Sequence, residues 1–306
     1  MRAAERQALL ADVRENSLDD GPGIRTTVFV KGCGLRCAWC HNPEAREARP
    51  ELQLRPERCL GCGACRRACP RGERRAEPGP GCRACGACAL ACPAAARRVV
   101  GAPLEVEALA ERLLLDAPFF RRSGGGVTLS GGEPGLVPRP LGRLAARLRA
   151  QGVHVLLETA GHFPWAPFAE HLLPHLDAIF FDLKLADPRE HLRLIGVGPE
   201  LILANLDRLL AAGAPALAVR TPLVPGLTDG EANLRGLAGL LRARGLTRLR
   251  LVPYNPLVRE KRRALGLAGD ELPAGFQAPA ELDRCRAIVR AEGLALEDER
   301  ELECLP

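Results

Sequence analysis

Aromatic residues are scarce in this 306-residue chain: eight Phe, two Trp and one Tyr, 4% in all. Single-stranded nucleic acid is held largely by stacking on aromatic faces, so with so few rings and no nucleic-acid-binding motif that role is not expected. No run of 18 or more apolar residues occurs, so a transmembrane helix is not expected either. The chain opens without a charged-then-apolar leader; its first residues, MRAAERQALLADVREN, read as a soluble start and predict a cytoplasmic, thiol-reducing setting. Two phosphate-binding signatures are also missing, GxGxxG after the first strand and GKS or GKT after the glycine-rich stretch near 130. Net charge is only +6, and 47% apolar with 26% charged residues describes an ordinary globular protein.

Cysteine, by contrast, is abundant, and eleven of the 13 lie between Cys33 and Cys92. Cys59, Cys62, Cys65 and Cys69-Pro70 form one CxxCxxCxxxCP run, and Cys82, Cys85, Cys88 and Cys92-Pro93 form a second. In this bacterial ferredoxin run three thiolates hold one 4Fe-4S cluster and the fourth crosses to its neighbour. The expected ligand sets are Cys59, Cys62, Cys65 with Cys92, and Cys82, Cys85, Cys88 with Cys69. Structural zinc is the alternative, but zinc wants four ligands, usually as two pairs, and does not call for two intact ferredoxin runs. The third run, Cys33, Cys37 and Cys40, supplies three thiolates only, so a cubane held there keeps one iron open. His41 is a conceivable fourth ligand, yet it would abolish the open position. Cys285 sits on an apolar stripe with Leu282, Ile288 and Val289 and reads as a buried thiol, and Cys304 as a tail residue.

The stretch from Asp20 to Glu44, DGPGIRTTVFVKGCGLRCAWCHNPE, resembles the opening of a radical S-adenosylmethionine (SAM) enzyme, and more narrowly of a glycyl radical enzyme activating enzyme. SGGGVTLSGGEP, from Ser123 to Pro134, is similar to the same group's second motif. The likeness continues through ETAG at Glu158, DLK at Asp182, VPG at Val224 and PY at Pro253, and so covers almost the whole chain. The subgroup it points to carries a two-cluster ferredoxin insert. The resemblance implies three 4Fe-4S clusters, with SAM bound at the open iron beside Cys33, Cys37 and Cys40. Gly131 and Gly132, whose missing side chains allow close backbone approach, are then expected to meet the methionyl amino group, with Glu133 stabilising their loop. Glu158, Thr159, Asp182 and Lys184 are implied around the SAM carboxylate and ribose, Lys184 supplying positive charge and the acidic pair a candidate holder of a monovalent cation. Read without the family, these four are ordinary strand-end polar residues.

Asn42 and Arg220 match family positions near bound SAM, and Trp39 the aromatic slot beside its adenine. Asn255 stands where the family commonly has histidine; it can donate a hydrogen bond but cannot titrate near neutral pH. Asp20 matches a position that meets the partner's glycine loop, with Arg25 nearby; from its own surroundings it reads equally as a turn-capping aspartate.

Residues 50–100 are rich in Cys, Arg, Gly and Pro and poor in large apolar side chains, so metal must substitute for a core there. Residues 71–81, RGERRAEPGPG, form a loop by composition. The expected division is one domain from 1–49 and 101–306 with a ferredoxin-like insert at 50–100. Strands are predicted at 26–33, 126–133, 153–159, 178–184, 216–224 and 248–254, and helices at 104–115 and 141–150, the latter from Leu141, Leu144 and Leu148 on one face. Strands alternating with helices predict a parallel sheet with helical crossovers, two strands short of a closed barrel. The resemblance implies an α/β, partial (β/α)6 TIM-like barrel; a doubly wound sheet is the other arrangement compatible with the alternation. Every motif named follows a strand and belongs at the C-terminal edge of the sheet.

The implied function is reductive cleavage of SAM to a 5′-deoxyadenosyl radical that takes hydrogen from a glycine of a glycyl radical enzyme. The insert is expected to relay electrons from flavodoxin or ferredoxin; Arg66, Arg67, Arg71, Arg74 and Arg75 form either a docking face for such a donor or a solvated basic face. A radical SAM enzyme acting on a small molecule gives no reason for SGGGVTLSGGEP or the insert. An iron-sulfur electron carrier leaves the three-cysteine site without a use. A monomer with no membrane or nucleic-acid partner is expected.

Overall fold

The computed structural model describes residues 7–72, 81–213, 215–267 and 271–297. Cys304, Arg74, Arg75 and most of the expected 71–81 loop lie outside the described residues. The first strand, β1 (Leu9–Ser17), pairs antiparallel with β2 (Arg25–Val30). A two-stranded ribbon, β3 (Glu51–Leu54) and β4 (Arg97–Val100), brackets the short helices α1 (Ala64–Arg67) and α2 (Ala87–Leu90). A two-residue strand, β5 (Ala102–Pro103), then pairs with β1, ahead of α3 (Val106–Leu114) and α4 (Ala117–Ser123). Strand and helix alternate thereafter: β6 (Gly126–Gly131), α5 (Pro138–Ala150), β7 (His154–Thr159), α6 (Trp165–His171), β8 (Ala178–Asp182), α7 (Pro188–Ile195), α8 (Glu200–Ala211), β9 (Ala216–Leu223), α9 (Glu231–Arg242) and β10 (Arg248–Pro253). The described chain closes with α10 (Val258–Ala264), α11 (Pro279–Ala291) and β11 (Ala295–Leu296).

Sheet order decides between the two expected folds. It runs β11-β10-β9-β8-β7-β6-β2-β1-β5, so each barrel strand from β2 to β10 lies parallel beside its predecessor. A doubly wound sheet reverses its order at a switch point, and this one does not. With right-handed crossovers, all helices are laid on one face and the sheet curls as a partial TIM-like barrel. The six predicted strands are these six, and the predicted helices are α3 and α5. Not predicted are β1, β5 and β11, which extend the parallel core to nine strands.

Strand alternation sorts side chains by face. Val155, Leu157, Ile179 and Phe181 join Leu141, Leu144 and Leu148 of α5 in the main core between sheet and helices. Leu156, Ala178, Phe180 and Ala218 form a small cluster on the other face, inside the barrel. That interior is otherwise charged. The Arg220 and Arg250 guanidiniums each lie 4.7 Å from the Phe180 ring centroid, a cation–π geometry. Arg25 is fully buried, donating from Nε to Thr128 Oγ1 (2.6 Å) and from Nη2 to Val127 O (2.8 Å), and burial lowers its pKa to about 10.

The 50–100 segment is organised as two similar halves. Counted from Cys59 and from Cys82, Gly61, Gly63 and Gly72 correspond to Ala84, Gly86 and Ala95, and all six have positive φ. Alanine accepts that conformation at about 1–2 kcal/mol, so the turn geometry is imposed by the motif rather than chosen by the residue. The ribbon is tied to the barrel by Lys31, whose buried ammonium pairs with Glu51 at 2.9 Å, and by Val100 packing among Ala11, Phe29 and Ala45. None of the described residues from 55 to 95 is buried. Such a segment has no apolar core of its own. If its cysteines hold iron as expected, stripping the metal is predicted to open 55–95 to protease while barrel fragments stay protected, as read by limited proteolysis with mass spectrometry; equal protection of the segment with and without iron would contradict a metal-dependent fold.

Candidate active site

The C-terminal ends of the parallel strands surround a cleft of about 480 Å³. Cys33, Cys37 and Cys40 reach it from the loop after β2, Gly131 and Gly132 from β6, Glu158 and Thr159 from β7, Asp182 and Lys184 from β8, Arg220 from β9 and Asn255 from beyond β10. Its lining also includes Arg14, Ser17, Asp19 and Asp20, from β1 and the turn that follows.

The cysteine loop is strapped down along its length. Gly32 N donates to Ala45 O (2.7 Å) and Cys33 N to Arg46 O (2.9 Å), which closes the loop on its own exit. Arg36 N and Ala38 N donate to Ile195 O (2.7 Å) and Leu194 O (2.9 Å), so the free carbonyls at the end of α7 are satisfied by this loop. Burial pushes the Cys33 and Cys37 thiols up to about 12 and raises that of Cys40. At neutral pH these thiols do not ionise unaided; the positive charge of a bound metal centre would be needed to withdraw their protons. Among the described residues no three His, Cys, Asp or Glu side chains converge as one metal ion requires. A cubane distributes its ligands over separate irons, so three spaced thiols in a cleft fit it.

Opposite these thiols stands a charged group that is neutral as a whole. Arg220 donates from Nη1 to Glu158 Oε1 at 2.6 Å and from Nε to Asp182 Oδ1 at 2.8 Å, and Lys184 Nζ donates to Asp182 Oδ2 at 2.9 Å. Ser130 Oγ completes Glu158 at 2.7 Å. The Arg220 guanidinium bridges the two carboxylates that were expected to hold a monovalent cation. Burial raises the Glu158 pKa, and Arg220 opposes this without reversing it. Burial also works to raise Asp182, but Arg220 and Lys184 together hold it below the usual carboxylate range. Lys184, in turn, is raised against its burial by Asp182 and then by the Cys37 sulfur.

Glu133 does not line the cleft. It is fully buried and accepts from Thr159 Oγ1 (2.6 Å), Ala160 N (3.0 Å) and Gly135 N (3.1 Å), locking the loop after β6 to the loop after β7. The two glycines before it must also be small for packing. A Cβ on Gly131, at φ +114°, would lie 2.4 Å from Val30 N, and one on Gly132 would lie 2.2 Å from Gly32 O. Their missing side chains let this loop pack on the root of the cysteine loop.

Trp39 is buried in the main core and also borders the cleft. His41 directs Nε2 at Asn255 O (3.0 Å), so that nitrogen is engaged by backbone rather than held out for metal. Asn255 Oδ1 accepts from Leu257 N (3.1 Å), capping the turn into α10. Asp20 Oδ2 accepts from Ser17 Oγ (2.7 Å) and Thr27 Oγ1 (2.6 Å), so it caps its turn and borders the cleft at once. Arg25 lies inside the barrel and reaches back to Pro22 O (3.3 Å), fixing that turn from below. Sequence reasoning missed Lys261 and Arg262 on α10, which hold the cysteine loop through His41 O (2.8 Å) and Ala38 O (3.1 Å). VREKRRA reads as a solvated basic helix, and nothing local signals otherwise. In the 50–100 segment α1 packs against α2, which sets the two cysteine runs side by side; Cys59, Cys62 and Cys85 are exposed there and the other five half-buried.

A family model described as the radical SAM superfamily matches residues 27–237. The benzylsuccinate synthase activating enzyme of Thauera aromatica is 39% identical, over 94% of this chain and 91% of that one. The choline trimethylamine-lyase activating enzyme of Oleidesulfovibrio alaskensis is 35% identical, over 94% and 96%. The pyruvate formate-lyase 2-activating enzyme of Escherichia coli is 32% identical, over 94% and 91%. Among solved structures, a radical SAM methyltransferase from Sphaerobacter thermophilus shares the fold at 17% identity, with a TM-score of 0.51 over 94% of this chain and 76% of that one.

Replacing Arg220 with methionine leaves two buried carboxylates facing each other with Lys184 alone, at a predicted cost of about 3–5 kcal/mol near neutral pH. Because the folded-state pKa of Glu158 is raised, protonating it favours the folded state; that contribution is full below the unfolded value and is lost as pH rises. Part of the loss in Arg220→Met is therefore expected to return between pH 7.5 and pH 5, measured as the difference in Tm from the unchanged protein. A deficit equally large at both pH values would rule out like-charge repulsion as its cause.

Proposed function

The chain belongs to the radical SAM superfamily, and from that premise we propose that it is a glycyl radical enzyme activating enzyme. The observation that carries this is one cleft bordered by a three-thiol loop, by a self-neutralised charged group and by the Asp20 turn, in a chain related end to end to activating enzymes. The superfamily's cofactors are SAM and a 4Fe-4S cluster, which together supply, when bound, reductive cleavage to a hydrogen-abstracting 5′-deoxyadenosyl radical.

The protein's own residues bind and aim. Cys33, Cys37 and Cys40 hold the cluster by three thiolates, leaving an iron for SAM. Lys184 offers an ammonium to the SAM carboxylate from a position already tied to Asp182, and Arg220 pairs with both Glu158 and Asp182 around the ribose. Trp39, Asn42, Gly131, Gly132, Thr159 and Asn255 complete the enclosure, while Glu133 secures it from behind. Groups fixed in a buried site need no reorganisation when charge develops and keep water from a reactive intermediate. Asp20, at the turn after β1, receives the partner's glycine segment. Residues 50–100 form an insert with two further clusters, on Cys59, Cys62, Cys65 and Cys92 and on Cys82, Cys85, Cys88 and Cys69. With those clusters bound, the insert would supply a path for single electrons from flavodoxin or ferredoxin. Exposed Arg58, Arg66, Arg67, Arg71 and Arg83 beside the exposed cysteines suit an acidic donor. Action in the cytoplasm as a monomer is part of this reading; separately, no helix among the described residues is long and apolar enough to cross a membrane.

Anaerobic reconstitution is expected to give about 12 irons per chain, from cubane stoichiometry, and a paramagnetic resonance signal altered by SAM. About eight irons and no effect of SAM would point instead to an electron carrier. Serine at Cys62 and Cys85 should slow turnover driven by a protein donor while leaving SAM affinity intact; unchanged turnover with that donor would remove the relay.

A further inference from the structure

Lys261 lies far from the cysteine loop in sequence and against it in space. Its ammonium donates to His41 O at 2.8 Å and to Asn42 Oδ1 at 2.9 Å, and pairs with Glu44 Oε1 at 3.2 Å. An ammonium has three donors and no acceptor, so all three are used, and the atom of Asn42 that faces it must be the carbonyl oxygen. That choice fixes the other end of the amide. Asn42 borders the cleft, and with Oδ1 turned to Lys261 its Nδ2 is the end of the amide left for a ligand there. Glu44 is 4% exposed and its Oε2 has no partner, which makes Lys261 the counter-charge for a buried carboxylate two residues beyond Asn42.

We propose that Lys261 is a positioning residue for SAM, acting through Asn42: it fixes the orientation of the Asn42 amide and of the Cys40–Glu44 turn so that the cleft is met by a hydrogen-bond donor. The proposal rests on the reading that this cleft binds SAM. It names a function for α10 that its composition hides, because the helix presents Lys261 and Arg262 to the loop rather than to water. Lys261→Arg keeps the charge and several donors and so preserves the role in part, whereas Lys261→Met removes it.

The test is a double-mutant cycle on the full-length, anaerobically reconstituted protein, with the SAM dissociation constant measured by calorimetry and cluster loading by iron content and by resonance without SAM. Lys261→Met and Asn42→Ala are each expected to weaken SAM binding about tenfold, with loading unchanged. The double variant should be no more than about twofold weaker than either single one, because both remove the same contact. Lys261→Arg should recover most of the affinity. If Lys261→Met binds SAM as the unchanged protein does, or if the two losses multiply, the proposal fails. Should Lys261→Met lose iron, its dissociation constant is referred to the iron-loaded fraction, and unchanged affinity or multiplying losses overturn the proposal there too. A reconstituted unchanged protein that does not bind SAM at all overturns the reading of the cleft instead.

Discussion

The bridge from Arg220 to Glu158 and Asp182 is the constraint on which the cleft depends. Three adjacent strands, β7, β8 and β9, each end in a charged side chain pointing into the barrel, where a single unpaired charge costs several kcal/mol. One guanidinium satisfies two carboxylates because its donors are set in a rigid fork, a geometry lysine cannot reproduce. The result is a rigid charged rim at the C-terminal edge, held at 2.6 Å and 2.8 Å and backed by the Phe180 ring. Lys184 adds the remaining positive charge and is shared between Asp182 and the Cys37 side of the cleft. A site so balanced can accept a zwitterionic ligand without itself carrying excess charge.

The second requirement is that loops from distant strands meet without gaps. Strictly sequential strand order brings every C-terminal loop to one edge, but adjacency alone does not fix loop heights. Gly131 and Gly132 let the β6 loop sit directly on the root of the cysteine loop, and Glu133 then pulls the β7 loop onto it with two hydrogen bonds while a third, from Gly135 N, holds its own loop. Burying that carboxylate is tolerated only because all three donors are fixed, two of them backbone N–H groups. On the opposite side the end of α7 receives the cysteine loop's own N–H groups. Rigid neighbours thus clamp the thiol-bearing segment from three directions, so metal binding need not order it.

What could be read from sequence follows from how local each signal is. Cysteine spacing, the GGE segment and the six apolar strands are short-range patterns, and the strand positions agree with the observed elements to within a few residues. Leu9–Ser17 escapes prediction because this half-exposed strand, covered by β5 only at Leu9 and Leu10, mixes Arg, Glu and Asn into a weak alternation. The pairings that build the site are long-range and leave no local trace. Arg220 is 62 positions from Glu158, and Lys261 is 219 from Asn42. Composition could therefore name Glu158 and Asp182 as acidic neighbours, but only the fold shows that an arginine bridges them.

The antiparallel β1 has a consequence that the parallel strands cannot supply. A parallel strand delivers its loop to the C-terminal edge, where the cysteine loop and the charged rim already crowd. A strand running the other way ends in a turn at the opposite end of β2, and that turn carries Ser17, Asp19 and Asp20 into the cleft lining. Arg25 anchors the turn from inside the barrel through Pro22 O, and Thr128 Oγ1 donates to Asp20 O at 2.7 Å, so the turn is held by β2 and β6 together. The cleft therefore has two differently built boundaries, one of thiols and paired charges, the other an acidic turn beside exposed Leu18. Small-molecule chemistry needs only the first. A second boundary approached past the edge strand suits a substrate that arrives as a segment of another protein, because an extended chain can reach in from that side while the cofactor remains enclosed at the other.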